Sequence, residues 1–285
     1  MAELFNKIRR IQIVTTQLAN DLLAGAYHSA FKGKGIEFEE VREYQQGDEV
    51  RSVDWNVTAR MNHPYVKVFK EERELTVMLV VDVSASAKFG SKKDLIAEIG
   101  AVIAFSAIKN NDKIGLILFS EGVELYLPPK KGLRHVLRLI RELLVYEPKK
   151  IRTDLSAALT FLGNVQQRQT ICFMISDFIF ELPERELMIT ARYHDLIAVH
   201  VSDPNEWEFS DMNLVQMSDL ETGQTKMVDT SSVAVLKEQK KNMEERKDDL
   251  QHTLQHVGAG FIEVRTDEPY IYPMQRFFKL RKIKH

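Results

Sequence analysis

The sequence carries one cysteine in 285 residues, Cys172, so a disulfide within the chain and a zinc site built from cysteines are both excluded. That economy fits a reducing compartment. Cys172 lies in the apolar run Thr170-Ile171-Cys172-Phe173-Met174-Ile175, where a thiol serves as a small buried hydrophobe rather than a nucleophile. Neither sign of charge is in surplus: 39 Lys and Arg stand against 41 Asp and Glu, a formal net charge of -2, which gives no pointer to nucleic acid or an anionic bilayer. No apolar run reaches the roughly 18 residues that span a bilayer, and the N-terminus lacks the apolar centre of a secretory signal. The expectation is a soluble, cytoplasmic protein without a transmembrane segment. Walker A loops, a Gly-x-Gly-x-x-Gly turn after a strand and a Gly-x-Ser-x-Gly elbow are also missing, which removes the phosphate-cradling and nucleophile-elbow enzymes those motifs mark.

What is present is a large apolar share, 44% of residues, ample for one sizeable core. The chain is organised around Thr76-Val77-Met78-Leu79-Val80-Val81-Asp82-Val83-Ser84-Ala85-Ser86. Its unbroken β-prone run reads as a strand buried on both faces, as at the centre of a parallel sheet. The run ends in a carboxylate and two hydroxyls at alternate positions, Asp82, Ser84 and Ser86, where open α/β sheets bind ligands. Hard oxygen donors of this kind suit Mg²⁺ first, with Mn²⁺ or Ca²⁺ as alternatives. Ser91 with Asp94 supplies a capping signature for the next helix, which leaves the three upstream groups free for a ligand.

The remaining periodicities fill in an α/β chain. Leu4, Ile8, Ile11, Leu18 and Leu22 predict an amphipathic helix within residues 1–30; its basic first turns also allow peripheral membrane contact. Residues 31–74 change to short alternating runs and predict a small β-rich attachment, with Arg51 paired to a carboxylate beneath a packed Trp55. Residues 75–285 then read β, α, β, β, α, α, β, which fits a doubly wound, mainly parallel sheet. Within it, Val123 to Leu127 alternates as an edge strand. Apolar strands ending at Asp82, Asp177 and Asp203 would bring three carboxylates to one rim. Beyond Asn205 the pattern continues less clearly, with short strands at Leu214 to Met217 and Thr225 to Val228, a charged helix from Ser232 to His256 and a last strand at Phe261 to Val264. His252 and His256 are four apart on that helix but read as solvated residues, and the basic C-terminal stretch from Phe277 to Lys284 as a frayed or docked tail.

Gly35-Ile36-Glu37-Phe38, Val41-Arg42-Glu43-Tyr44, Gly47-Asp48, Val50-Arg51-Ser52-Val53-Asp54-Trp55 and Asp82-Val83-Ser84-Ala85-Ser86, in that order, resemble the bacterial "domain of unknown function 58" family, which is related to von Willebrand factor A domains. The resemblance runs from about residue 31 to Pro204. It implies a metal-ion-dependent adhesion site whose first element, Asp-x-Ser-x-Ser, is matched by Asp82, Ser84 and Ser86. Its second element, a Thr on a neighbouring loop, falls at Thr153, and its third, an Asp at the next strand end, at Asp177. Many von Willebrand domains carry Gly-Gly before the Thr and Gly after the last Asp; Ile151-Arg152 and Phe178 stand there in this chain. Two carboxylates about 5 Å apart repel by roughly 3 kcal/mol at an effective dielectric near 20, a penalty a divalent ion removes.

The functional expectation is therefore a non-catalytic, metal-dependent module binding a protein partner that presents an acidic side chain. The family association implies a MoxR-type AAA+ ATPase as partner and a chaperone-like or assembly role in stress or envelope processes. The alternative is a Mg²⁺- or Mn²⁺-dependent phosphate-ester hydrolase on the same rim, with His200 or Asp203 as general acid or base. A haloacid-dehalogenase-like phosphatase needs a second acid two residues after the first, and Ser84 occupies that place.

Overall fold

The computed structural model describes residues 9–11, 37–70, 74–150, 152–206, 214–218, 225–229 and 233–284. The chain divides into two compact units, Phe31–Glu74 on one hand and Met1–Ala30 with Leu75–His285 on the other. Of the N-terminal helix expected from the periodicity, only Arg9, Arg10 and Ile11 are described; they are helical, and the rest lies outside the described residues.

In the smaller unit, β1 (Glu37–Glu43) pairs antiparallel with β2 (Tyr65–Lys70), with a register shift between Phe38 and Glu40. The connection between them is not β-rich. It holds a 3₁₀ turn, Val50–Ser52, and a helix, α1 (Trp55–Met61). Asp54 caps that helix by accepting the N–H groups of Asn56 and Val57. Among the described residues the expected Arg51 pair beneath a packed Trp55 does not form. Trp55 is 68% exposed, and among those residues the carboxylates pair elsewhere: Asp48 with Arg42 through two parallel bonds of 2.8 and 2.7 Å, and Asp54 with Lys67 at 3.5 Å. Asp48 sits in the turn after β1, where it also accepts from the Gln45 N–H at 2.8 Å, so its carboxylate is oriented toward Arg42 before any tertiary packing.

The larger unit is built on a six-stranded sheet. Its strands are β3 (Thr76–Asp82), β4 (Lys113–Phe119), β5 (Val123–Lys130), β6 (Ile171–Ser176), β7 (Asp195–Ser202) and β10 (Gly260–Arg265), in the order β10-β7-β6-β3-β4-β5. All neighbours are parallel except β4 and the edge strand β5. The short strands β8 (Leu214–Ser218) and β9 (Thr225–Asp229) form a separate antiparallel pair. The helices are α2 (Lys92–Lys109), α3 (Leu133–Val145), α4 (Leu155–Val165), α5 (Glu184–Tyr193), α6 (Val233–His256) and α7 (Ile271–Lys284).

Period-two alternation assigns the faces. Met78, Val80, Cys172, Met174, Leu196 and Ala198 point to one side, where they cluster with Leu155, Leu159 and Leu162 of α4, Leu187 of α5 and Leu250 and Leu254 of α6. Leu79 points to the other, toward Gly100 of α2, which in turn faces Leu143 of α3. Phe173, the register partner of Leu79, meets Phe278 of α7 edge-on at 6.4 Å, so α7 shares that second face. Helices thus cover both sides, which is why β3 and β6 are buried along nearly their whole length. Cys172 is fully buried, and burial pushes its thiol far up, in keeping with a packing role. From β3 the chain first winds outward through β4 and β5, then returns to the opposite side of β3 to lay down β6, β7 and β10. That reversal opens a crevice beyond the carboxyl ends of β3 and β6, where Asp82 and Asp177 lie.

Candidate functional site

Asp82 is the last residue of β3 and is buried, 1% exposed. Its Oδ1 accepts the backbone N–H of Ser84 at 2.8 Å, and its Oδ2 accepts the hydroxyl of Ser176, the last residue of β6, at 2.7 Å. The first bond curls the chain back over the strand end, and Ser86 then opens a 3₁₀ turn, Ser86–Lys88. The result brings the Ser84 and Ser86 hydroxyl oxygens to 3.1 Å from each other, both buried. Ser176 also accepts the Phe178 N–H at 2.9 Å, which ties the β6 loop to the same carboxylate. Burial first, and the charge of Asp177 second, push the Asp82 carboxyl up to about 7. A buried carboxylate in this state calls for a proton or a cation.

Asp177 is buried in the following loop, but its cation is a protein side chain. The ammonium of Lys92, fully buried at the first position of α2, donates to Asp177 Oδ2 at 2.8 Å and to Glu206 Oε1. Glu206 stands in the 3₁₀ turn Pro204–Glu206 that follows β7, and burial raises its carboxyl above the ordinary value despite the lysine. The expected cap by Ser91 is absent. Ser91 occupies the N-cap position of α2 with ψ of 9°, outside the extended region in which a cap side chain turns back; its carbonyl accepts the Leu95 N–H at 3.1 Å, but its hydroxyl accepts no helix N–H.

Thr153 is half-buried in the loop before α4. The next residue, Asp154, donates its N–H to the Ser120 carbonyl at 2.7 Å, just past the end of β4, and caps α4 by accepting from Ala157 N–H. The loop is therefore pinned beside the neighbouring strand end. The structure joins Asp82, Ser84, Ser86 and Ser176 into one hydrogen-bonded set, joins Asp177 to Lys92 and Glu206, and holds Thr153 on the adjacent loop. Sequence reasoning missed Lys92, Glu206 and the hydroxyl of Ser176. Only Ser176 carried a signal, its place directly before Asp177 at a buried strand end.

Asp203, the third strand-end aspartate, is also buried and packs against Gly90 in the loop after Ser86. Gly90 has φ of +54°, and a Cβ there would stand 2.5 Å from Asp203 Oδ2. Gly90→Ala combines a left-handed backbone with that collision and is expected to cost about 2–3 kcal/mol in urea unfolding. An unchanged midpoint would show that Asp203 can swing aside. Phe178 has φ of +51°, the conformation for which glycine is the usual choice, yet here a buried ring occupies it. It lines a small, solvent-open cleft with Asp177, His200, Glu206 and Lys247. His200 lies between Phe178 and Phe261, its centroid 6.4 and 6.1 Å from theirs, and burial lowers its pKa so that it stays neutral.

The donor set can be tested against a hard cation. Octahedral Mg²⁺ at 2.0–2.1 Å places adjacent oxygens about 3 Å apart, close to the 3.1 Å between Ser84 and Ser86 hydroxyls. The raised Asp82 carboxyl supplies the missing negative charge. These three residues fit an ion; Asp177 fits less well, because Lys92 already neutralises it. Among the described residues no three His, Cys, Asp or Glu side chains gather as a metal cluster, so hydroxyls would have to supply part of any coordination.

Comparison with known proteins gives the family. The family described as Protein of unknown function DUF58 matches residues 40–249. Uncharacterized protein Rv1480 of Mycobacterium tuberculosis is 29% identical over 282 residues, 96% of this chain and 89% of its own. Among solved structures, the conserved hypothetical protein BatB from Bacteroides thetaiotaomicron aligns over 74% of this chain and all of its own, at 14% identity and a TM-score of 0.45. A von Willebrand factor type A structure from Catenulispora acidiphila aligns over 76% of this chain and 43% of its own, at 8% identity and a TM-score of 0.42.

Proposed function

The chain belongs to the DUF58 family of proteins of unknown function, and from that membership and the rim at the end of β3 we propose that it is a non-catalytic, metal-dependent protein-binding module of the von Willebrand type. The observation that supports this most is the pair of buried hydroxyls, Ser84 and Ser86, 3.1 Å apart beside the buried Asp82 at the reversal point of the sheet. Asp82, Ser84 and Ser86 would hold the ion, Mg²⁺ in the first instance, with Thr153 on the adjacent loop and Asp177, here paired to Lys92, as the further ligands. When bound, the ion supplies an electrophilic position open to an acidic side chain of the partner, since neutral hydroxyls leave it short of negative charge. The chain's own residues do the positioning. Ser176 and the Ser84 N–H fix the Asp82 carboxylate, and the Ser120 carbonyl fixes the loop that carries Thr153.

The partner proposed is a MoxR-type AAA+ ATPase, the setting a chaperone-like or assembly role in stress or envelope processes, and the compartment the cytoplasm. The non-catalytic reading draws on His200, which lines the cleft with Asp177. Wedged between two rings and held neutral by burial, it is poorly placed to exchange protons with a substrate. Capture of a purified MoxR-type ATPase by the immobilised protein tests the proposal. With Mg²⁺ the wild type is expected to retain the ATPase, and EDTA or Asp82→Ala to reduce capture at least about tenfold. Equal capture under all three conditions rejects it.

A further inference from the structure

The feature that the metal reading leaves unexplained is Lys92. A lysine is almost never buried without a reason, and this one is 0% exposed at the N-terminal end of α2, where the helix macrodipole opposes a positive charge. Its ammonium reaches two carboxylates from separate loops, Asp177 after β6 and Glu206 after β7. The Phe89 ring, 6.0 Å from Nζ, closes another side. With two acids and one base, the cluster keeps a formal charge of -1, and its Asp177 member is a carboxylate to which a rim ion would be expected to turn.

We propose that Lys92 is a tethered counter-cation that competes with the divalent ion for Asp177 and thereby sets the ion affinity of the rim. While the ammonium holds Asp177, an ion at Asp82, Ser84 and Ser86 lacks its second carboxylate and meets a like charge nearby; both effects weaken binding. Full engagement of Asp177 by the ion requires the ammonium to move off it and onto Glu206 alone. Glu206 thus acts as the alternative seat for Lys92, and Lys92 is a positioning residue rather than a ligand. The inference rests on the rim being an ion site.

The test is direct Mn²⁺ binding, read by electron paramagnetic resonance of the free ion and by calorimetry, on the full chain. Lys92→Met is expected to bind Mn²⁺ at least about tenfold more tightly than wild type, and Asp82→Asn added to it to abolish the gain. Because Lys92→Met alone leaves two buried acids unpaired and can impair folding, Lys92→Met/Glu206→Gln removes one charge of each sign and is read in parallel, with circular dichroism confirming its fold. A variant that binds while wild type does not supports the competition and overturns metal dependence of the native protein. Equal or weaker binding by both Lys92 variants, with wild type binding, overturns the role of Lys92 and leaves the ion site standing. Absence of binding by every form overturns both.

Discussion

Asp82→Asn is expected to stabilise the metal-free protein at pH 8 and to do little at pH 5. The folded carboxyl titrates at about 7 against an ordinary 3.8, so the folded state binds its proton more tightly than the unfolded chain. Stability contributed by that proton is fully present below the unfolded value and is lost as pH rises through 7. Above pH 7 the ionised, buried Asp82 costs up to about 4 kcal/mol, from a shift of roughly three units at 1.36 kcal/mol each. Asparagine removes the charge and still accepts the Ser84 N–H through its amide oxygen. Its NH₂ group faces the Ser176 hydroxyl and leaves that hydrogen to find another acceptor, a loss of about 1–2 kcal/mol. The net gain at pH 8 is about 2–3 kcal/mol, or roughly 3–5 °C in thermal midpoint for a chain of this size. At pH 5, where the wild-type carboxyl is already largely protonated, the two terms nearly cancel. Melting both proteins in EDTA at the two pH values checks this. A gain of equal size at both, or a loss at pH 8, would show that Asp82 is not the group strained by ionisation. Mg²⁺ or Mn²⁺ is expected to raise the midpoint of the wild type at pH 8 and to leave that of Asp82→Asn unchanged.

The same carboxylate shows how much of the site the sequence made legible. An unbroken apolar strand followed by Asp82, Ser84 and Ser86 is a local pattern, and local patterns survive folding. The Ser84 N–H bond to Asp82 needs only the intervening residue to turn. The parallel strands were readable for the same reason, since burial on both faces demands consecutive apolar residues, Val77 to Val81 in β3 and Ile171 to Ile175 in β6. Lys92 was hidden because its partners lie 85 and 114 residues away, and Lys92-Lys93 at the head of a helix reads as a solvated face. Glu206, in a polar turn after Pro204, was equally mute. The helix Trp55–Met61 escaped because alternating residues around it suggested strands, although Asp54 directly before it is a good cap. At Phe178 the departure from the glycine that many von Willebrand domains carry was visible. Only the backbone, with φ of +51°, explains why glycine is ordinarily preferred there.

Phe278→Ala is expected to be the most damaging change outside the rim, and it decides whether the basic C-terminus is a frayed end or part of the core. The sequence Phe277-Phe278-Lys279-Leu280-Arg281 allows both, because charge at alternate positions suits a solvated tail as well as a half-buried helix. In the fold, α7 lies on the sheet face opposite Cys172, with Met274 and Phe278 buried and Arg281 paired to Asp195 at the start of β7. Phe278 meets Phe173 edge-on at 6.4 Å and Phe277 at 5.5 Å. Truncating a fully buried Phe removes its transfer free energy and leaves a cavity over the centre of the sheet, together about 3–5 kcal/mol. Arg281→Ala, at a partly buried ion pair on the rim of that face, is expected to cost less, about 1–2 kcal/mol. Urea unfolding of the two variants separates the cases. A clearly larger loss at Phe278 means that α7 is held by apolar burial and that its positive charges are the solvated outer face of a packed helix. Equal, small losses would mean that the helix is not docked, and Phe173 would then need another cover.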